Sequence, residues 1–136
     1  MRIVLDTNVV VSGLLTPGGT CGKILDTIEQ GKVVVCLDDR IWDEYWDVLH
    51  RPKFKLPPGD SEKILEVLAL LGQRIDDYPD TQGLPDQDDA CFLEVALGGG
   101  ASYIVTGNLR DFPPALCRGM KILSPQRFLD LLAKER

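Results

Sequence analysis

The sequence contains little of what several common kinds of functional site require. Its only histidine is His50, and its four cysteines form no C-x-x-C pair. Neither a structural zinc site nor a Ser-His-Asp or Cys-His mechanism is therefore indicated. We expect Cys36 and Cys91 to act as small buried apolar residues, and we expect no disulfide framework.

Long apolar runs are also absent. The longest span a few residues, such as 9–11, and are too short to cross a bilayer. No apolar signal region precedes the first strand-like run, so we expect no membrane association, no secretory signal and a cytoplasmic location. With 136 residues, of which 44% are hydrophobic, the chain has the size and composition of one globular domain over residues 1–136.

An excess of positive charge is missing as well. The 15 basic and 21 acidic residues give a net charge of −6, whereas a protein that holds nucleic acid by neutralising phosphates alone is usually basic. If this chain handles nucleic acid, something must shield its carboxylates from the phosphates, and a divalent cation is the obvious shield. The alternative is an acidic protein whose partners are basic or small.

What the chain does contain is an alternation of short apolar runs and amphipathic segments. Four runs are typical of buried parallel strands, and a fifth segment of a short edge strand: 3–5, 32–37, 102–106, 121–123 and, at the edge, 74–78. Helices are predicted at 8–15, 20–30, 39–51, 60–71, 88–97 and 125–134. This alternation indicates a three-layer α/β/α fold around a central parallel sheet.

Acidic residues occur near the ends of these strands. Asp6 follows the first strand, at the sheet edge where α/β proteins bind ligands, or it caps the next helix. Asp89 shares a helical stripe with Phe92 and Leu93, so its carboxylate should face inward. Glu44 lies at the border of an apolar helix face, with a solvated surface position as the alternative.

Further polar residues follow the strand at 102–106, namely Thr106, Asn108 and Asp111. Carboxylates gathered at one sheet edge cannot all stay ionised without a counter-charge. Oxygen ligands select Mg²⁺ or Mn²⁺ over zinc. Such a cluster commonly performs metal-assisted hydrolysis of phosphodiesters.

Four motifs in series resemble a PIN domain. They are Leu-Asp-Thr-Asn-Val at 5–9, the Glu44-Tyr45 helix that continues to Phe54, Asp-x-x-Asp-x-x-Phe-Leu at 86–93, and Ile-Val-Thr-Gly-Asn at 104–108. The resemblance covers nearly the whole chain. It is closest to the small prokaryotic PIN proteins similar to VapC, the toxins of type II toxin–antitoxin pairs.

The resemblance implies a central parallel sheet and an endoribonuclease that uses Mg²⁺ or Mn²⁺. Asp6, Glu44 and Asp89 match the first three family acids. Asn8 would orient Asp6 by hydrogen bonding, and Thr106 would line the floor of the site.

The fourth family acid is replaced in this chain. Where many members have Thr-Gly-Asp, residues 106–108 are Thr-Gly-Asn. Asp111 resembles the variant in which the acid comes slightly later, so Asp6, Asp89 and Asp111 are the expected metal ligands. An amide oxygen at Asn108 can ligate a metal but carries no charge.

The expected partners are an RNA substrate, a cognate antitoxin and a second copy of the chain. Trp42 and Trp46 lie on one helix and would suit a homodimer interface, although such tryptophans are more often core residues. The residues expected to bind RNA are Arg110, in the loop after the strand at 102–106, and Arg51 and Lys53, after the Glu44 helix. Solvated loop charges are the alternative for all three.

Other folds with an acidic sheet edge fit less well. Haloacid-dehalogenase-like phosphatases require a second aspartate where Asn8 stands, and receiver domains require paired acids and a late lysine that the sequence does not supply. A PIN fold that has lost catalysis and binds RNA or protein stays open, because Asn108 replaces an acid.

Overall fold

The structure is a computed structural model that describes residues 1–135. Five strands form one parallel sheet in the order β3-β2-β1-β4-β5. They are β1 (Arg2–Leu5), β2 (Val34–Leu37), β3 (Gln73–Arg74), β4 (Tyr103–Val105) and β5 (Lys121–Leu123).

Six helices connect and cover these strands. They are α1 (Thr7–Leu15), α2 (Thr20–Glu29), α3 (Asp39–Leu49), α4 (Pro58–Leu71), α5 (Ala90–Gly98) and α6 (Pro125–Lys134). Single turns of 3₁₀-helix occur at Pro52–Phe54, Gln87–Asp89, Leu109–Asp111 and Pro114–Leu116. None of the helices in residues 1–135 is long and apolar enough to span a membrane.

The central strands are buried on both faces, which explains their unbroken apolar sequences. Ile3, Val4 and Leu5 of β1 and Ile104 and Val105 of β4 are fully buried. The helices α1 to α4 pack against one another, α6 packs against α2, and α5 packs against β1, β2 and β4. Because connections between parallel strands are right-handed, the strand order puts α1 to α4 on one face of the sheet and α5 on the other. The predicted three-layer α/β/α fold is confirmed.

The chain reverses its direction across the sheet at one place. It runs outward from β1 to β2 and β3, then returns to form β4 on the other side of β1. Connections therefore leave the carboxyl ends of β1 and β4 in opposite directions, which opens a crevice where such sheets bind ligands. Asp6 and Thr106 are the residues that follow these two strands.

Three local expectations need correction. The edge strand expected at 74–78 is only Gln73–Arg74, because Pro79 and a polar loop follow and only two residues pair with β2. Asp89 lies on the 3₁₀ turn before α5. α5 itself has no single apolar stripe, because all its residues from Ala90 to Ala96 are buried. Trp46, for which a core position is the more common alternative to a dimer interface, is 52% exposed.

Candidate active site

Asp6 is held at the carboxyl end of β1 by a residue one hundred positions away. Its side chain is 7% exposed, and its Oδ2 accepts a hydrogen bond of 2.7 Å from the Thr106 hydroxyl. The parallel pairing of Leu5 with Val105 brings the two residues together. Asp6 occupies the N-cap position of α1, but its carboxylate makes no capping hydrogen bond. The backbone N–H groups of Asn8 and Thr7 nevertheless lower the pKa of Asp6 from the start of α1, and the Thr106 hydrogen bond ties its carboxylate to the end of β4.

The Thr106 side chain contacts the Asp6 carboxylate, whereas Asn8 acts on it only through its backbone N–H, which lowers the pKa of Asp6. Thr106 is fully buried, and its hydroxyl also accepts a hydrogen bond of 3.0 Å from the backbone N–H of Asn108. Asn8 is exposed, and within residues 1–135 no hydrogen bond joins its side chain to Asp6. The orienting role expected for the Asn8 side chain therefore stays a prediction.

Glu44 reaches the same crevice from α3. The half-buried carboxylate of Glu44 accepts a hydrogen bond from the Thr7 hydroxyl, next to Asp6. Its neighbour Tyr45 is fully buried and donates a hydrogen bond to the backbone carbonyl of Leu5. Tyr45 therefore ties α3 to the end of β1 and so places Glu44 beside Asp6. The fully solvated alternative for Glu44 is wrong.

Asp89 and Asp111 are contributed by two 3₁₀ turns, and both are half-buried. The backbone N–H of Asp89 donates to the carbonyl of Asp86 at 3.1 Å, while the Asp86 carboxylate caps the turn through the N–H of Asp88 at 3.0 Å. Asp111 accepts a hydrogen bond of 3.0 Å from the side-chain amide of Asn108. Asn108 thus positions the neighbouring acid, Asp111.

The pKa values show that these acids lie within electrostatic range of one another. Burial raises the pKa of Asp6, and the negative charge of Asp111 raises it further. The hydrogen bond from Thr106 acts in the opposite direction and lowers this pKa. Burial also raises the pKa of Glu44, and the negative charge of Asp6 raises it further. The hydrogen bond from Thr7 lowers this pKa.

The pKa of Asp89 is raised further than that of Asp6 or Glu44. Burial, and then Asp111, Asp6, Asp86 and Glu44 as negative neighbours, raise its pKa to about 7. The charged form of a carboxyl group is destabilised in this way when neighbouring groups carry the same charge without a compensating cation. The structure therefore brings Asp6, Glu44, Asp89 and Asp111 together as one under-compensated acidic cluster.

The chemistry of this cluster suits a hard divalent cation. Asp6, Asp89 and Asp111 offer only carboxylate oxygens, the donors that Mg²⁺ and Mn²⁺ prefer. Within residues 1–135 no three Asp, Glu, His or Cys side chains are arranged closely enough to enclose an ion as they stand. The donor type and the surplus of negative charge fit the cation, while the ligands are not drawn together around one point.

The three basic residues expected to bind RNA differ in their relation to the acids. Arg110 is exposed on the 3₁₀ turn that carries Asp111. Arg51 is exposed, pairs with Asp47 at 2.8 Å, and lowers the pKa of Glu44. Lys53 is exposed on the turn after α3, and no described contact joins it to the acids.

A buried ionic network beside the acids was missed by sequence reasoning. Glu94 of α5 is only 5% exposed. It accepts hydrogen bonds of 2.6 Å from Arg40 and 2.6 Å from the backbone N–H of Thr81. Arg40 also pairs with buried Asp38 at 2.7 Å. The signal available in the sequence was a single charge within the apolar run of α5.

Comparisons with known proteins agree with this geometry. A model of the PIN domain family matches residues 2–110, a segment that contains Asp6, Glu44 and Asp89 and ends one residue before Asp111. The chain is also 32% identical to the uncharacterized protein MJ1680 of Methanocaldococcus jannaschii, in an alignment that covers 98% of this chain and 93% of the relative.

Proposed function

Because the chain belongs to the PIN domain family, whose members are generally nucleases, we propose that it is an endoribonuclease dependent on Mg²⁺ or Mn²⁺. Its catalytic residues are Asp6, Glu44, Asp89 and Asp111. The observation that carries this proposal is that burial and mutual repulsion raise the pKa values of Asp6, Glu44 and Asp89 at the crevice. Perturbed carboxyl groups gathered in a cleft are typical of catalytic sites.

The four acidic residues have two different roles in this proposal. Asp6, Asp89 and Asp111 would hold the cation, with Asp6 kept in place by Thr106 and Asp111 by Asn108. When bound, the cation activates water and stabilises negative charge on the phosphate. Glu44 is the proton acceptor in this scheme, because its raised pKa makes its carboxylate a stronger base than an ordinary exposed glutamate.

Cleavage of a short single-stranded RNA by the purified protein tests this proposal. We expect no cleavage in excess chelator, cleavage after Mg²⁺ or Mn²⁺ is restored, and its loss in Asp6→Asn. Asp26→Asn is the matched control, because Asp26 is an exposed aspartate on α2 and should leave cleavage unchanged. Equal cleavage by Asp6→Asn and the wild type would point to a contaminating nuclease and contradict the proposal.

A PIN fold that binds without cleaving is the second candidate. The observation that favours it is Asn108, which puts a neutral amide where many relatives carry an acid. RNA binding by the wild type without cleavage under any divalent cation would support this candidate against the enzyme.

We further propose that the protein acts in the cytoplasm as the toxin of a type II toxin–antitoxin pair. The resemblance of its four motifs to proteins similar to VapC supports this role. Expression of the wild type should arrest growth, and expression of Asp6→Asn should not. A small protein encoded immediately upstream, with a tail that covers the acidic crevice, should relieve the arrest. Growth arrest that persists in Asp6→Asn would contradict a role that depends on nuclease activity.

A further inference from the structure

A groove of about 480 Å³ adjoins the acidic cluster on the side of Glu44 and Asp88. Its walls come from α3, α5, the 3₁₀ turn of Asp89 and the loop that precedes this turn. Glu44 belongs both to this groove and to the proposed catalytic group. A chain of nucleotides bound across Glu44 would therefore place one of its units beside or inside the groove.

The side chains that line the groove carry charges that disfavour the binding of a phosphate group there. Four carboxylates line it, from Glu44, Asp80, Asp88 and Glu94, against the single guanidinium of Arg40. That guanidinium is already paired with Glu94 at 2.6 Å. An anion would be repelled here, whereas a neutral group that donates hydrogen bonds would be attracted.

Arg40 offers a flat surface held in a fixed orientation. Its Nε pairs with Asp38 at 2.7 Å and its Nη1 with Glu94 at 2.6 Å. The Tyr78 ring covers one face of the guanidinium, with its centroid 4.5 Å from Cζ. Tyr78 lies outside the lining of the groove, while Arg40 belongs to it. Nucleobases stack on guanidinium planes of this kind.

Two glutamines supply groups that can recognise the edge of a base. The Gln87 side chain donates to the Thr81 carbonyl at 3.1 Å, which fixes the side chain and leaves its oxygen as an acceptor. Gln82 is exposed, and its side chain has no hydrogen-bond partner in residues 1–135. Both line the groove.

We propose that this groove binds a nucleobase next to the scissile phosphate, stacked on Arg40, and that it prefers bases with an exocyclic amino group over uracil. The acceptor-rich lining favours the amino groups of adenine, cytosine and guanine. Uracil presents two carbonyl oxygens and one N–H on its pairing edge, so it matches the carboxylates poorly. That the bound base belongs to an RNA substrate rests on the proposed ribonuclease function. The preference for bases with an amino group rests only on the residues that line the groove.

Titration with free nucleosides tests the groove separately from catalysis, because nucleosides carry no phosphate to be cleaved. Adenosine, cytidine and uridine are added to the full chain while the side-chain amide resonances of Gln82 and Gln87 are followed by NMR. We expect adenosine and cytidine to shift both resonances and to bind about tenfold more tightly than uridine, as for a base contact of ordinary strength.

The variant Gln82→Ala/Gln87→Ala should show a weaker preference while still unfolding in one cooperative thermal transition, which shows that it is folded. Here backbone amide shifts of the groove residues report binding. Gln126→Ala, on distant α6, should keep the preference. No binding, equal binding of all three nucleosides, or an undiminished preference in the double variant would overturn the inference.

RNA cleavage separates the inference from the proposed function. Short RNAs that differ only at the nucleotide beside the cleaved bond should be cut about tenfold faster by the wild type when that nucleotide is not uridine. Selective nucleoside binding without any RNA cleavage would support the groove and refute the nuclease. Cleavage without base preference or nucleoside binding would refute the groove alone.

Discussion

Thr106 makes two hydrogen bonds through one hydroxyl at the floor of the crevice. Its hydroxyl donates to the Asp6 carboxylate at 2.7 Å and accepts from the Asn108 N–H at 3.0 Å. The residue is fully buried, so water cannot replace either bond without a change in packing. This one side chain therefore links the end of β1 to the loop that carries Asp111.

Replacement of Thr106 by valine should be costly although the two side chains are similar in shape. We expect Thr106→Val to lower the free energy of unfolding by about 1–3 kcal/mol, because the buried Asp6 carboxylate loses the hydroxyl that donates to it. Urea denaturation measures the loss. Thr106→Ser keeps the hydroxyl and should lose less. If valine proves as stable as threonine, the hydroxyl does not satisfy the Asp6 carboxylate.

Asp89 should make the stability of the metal-free protein depend on pH. The pKa of Asp89 rises from its ordinary 3.8 to about 7 in the folded protein. Between these values the folded state holds a proton that the unfolded chain has released. The free energy of unfolding should therefore fall as the pH rises from about 4 to about 7.

Urea denaturation in chelator across this pH range measures the effect. Asp89→Asn should flatten the dependence, whereas Asp26→Asn, at an exposed position, should keep it. A dependence of the same slope in Asp89→Asn would assign the effect to other acids.

The segment between β3 and α5 lacks helix and strand over residues 75–86, yet it is docked on α5. The Glu94 carboxylate accepts a hydrogen bond of 2.6 Å from the backbone N–H of Thr81. At Gly98 a Cβ atom would lie 2.2 Å from the backbone oxygen of Asp77. The absence of a side chain at Gly98 thus lets the segment pass closely over the end of α5. This docking positions the turn that bears Asp89.

Removal of the Glu94 carboxylate should release this segment without unfolding the sheet. We expect Glu94→Ala to lower the free energy of unfolding by about 1–3 kcal/mol and to speed hydrogen exchange at the Thr81 amide, which loses its acceptor. Hydrogen exchange followed by NMR measures both the segment and the strands.

Glu62→Ala removes an exposed glutamate of α4 and is the matched control for this change. Exchange in residues 75–86 should stay at the wild-type rate in that variant. Unchanged exchange at Thr81 in Glu94→Ala would show that other contacts hold the segment.

The protein as a whole carries a net charge of −6 and concentrates part of it at the crevice between β1 and β4. A cation that binds only the folded state stabilises it by mass action. We expect Mg²⁺ or Mn²⁺ to raise the melting temperature of the wild type, as followed by calorimetry, and to raise that of Asp6→Asn less. An equal rise in both proteins would indicate non-specific ion effects.

The overall negative charge also means that RNA is attracted only by local basic residues. Arg110→Ala should weaken RNA binding and reduce its dependence on salt, because one phosphate contact is lost. Asp89→Asn should remove turnover while binding survives. Titration of both variants with RNA at several salt concentrations measures the affinity and its dependence on salt. Arg127→Ala on α6 is the control. Unchanged affinity and salt dependence in Arg110→Ala would exclude Arg110 from the RNA path.

The sequence alone specified the order and type of the elements, because each follows from local patterns. The predictions of a strand at 121–123 and a helix at 125–134 match β5 and α6 residue for residue. Ser124 caps α6 as its position before Pro125 indicates. The four acids were also found in the sequence, since they follow strands or border apolar helix faces. Their catalytic roles stay predictions.

Only the tertiary structure decided which groups these acids meet. The partner of Asp6 is Thr106 because β1 and β4 pair in one register, and no local pattern contains that register. The burial of Glu94 and the exposure of Trp46 depend on what packs against α5 and α3. The raised pKa of Asp89 likewise depends on charges brought from three other segments. Contacts between distant residues set these properties, whereas local periodicity sets only the elements that carry them.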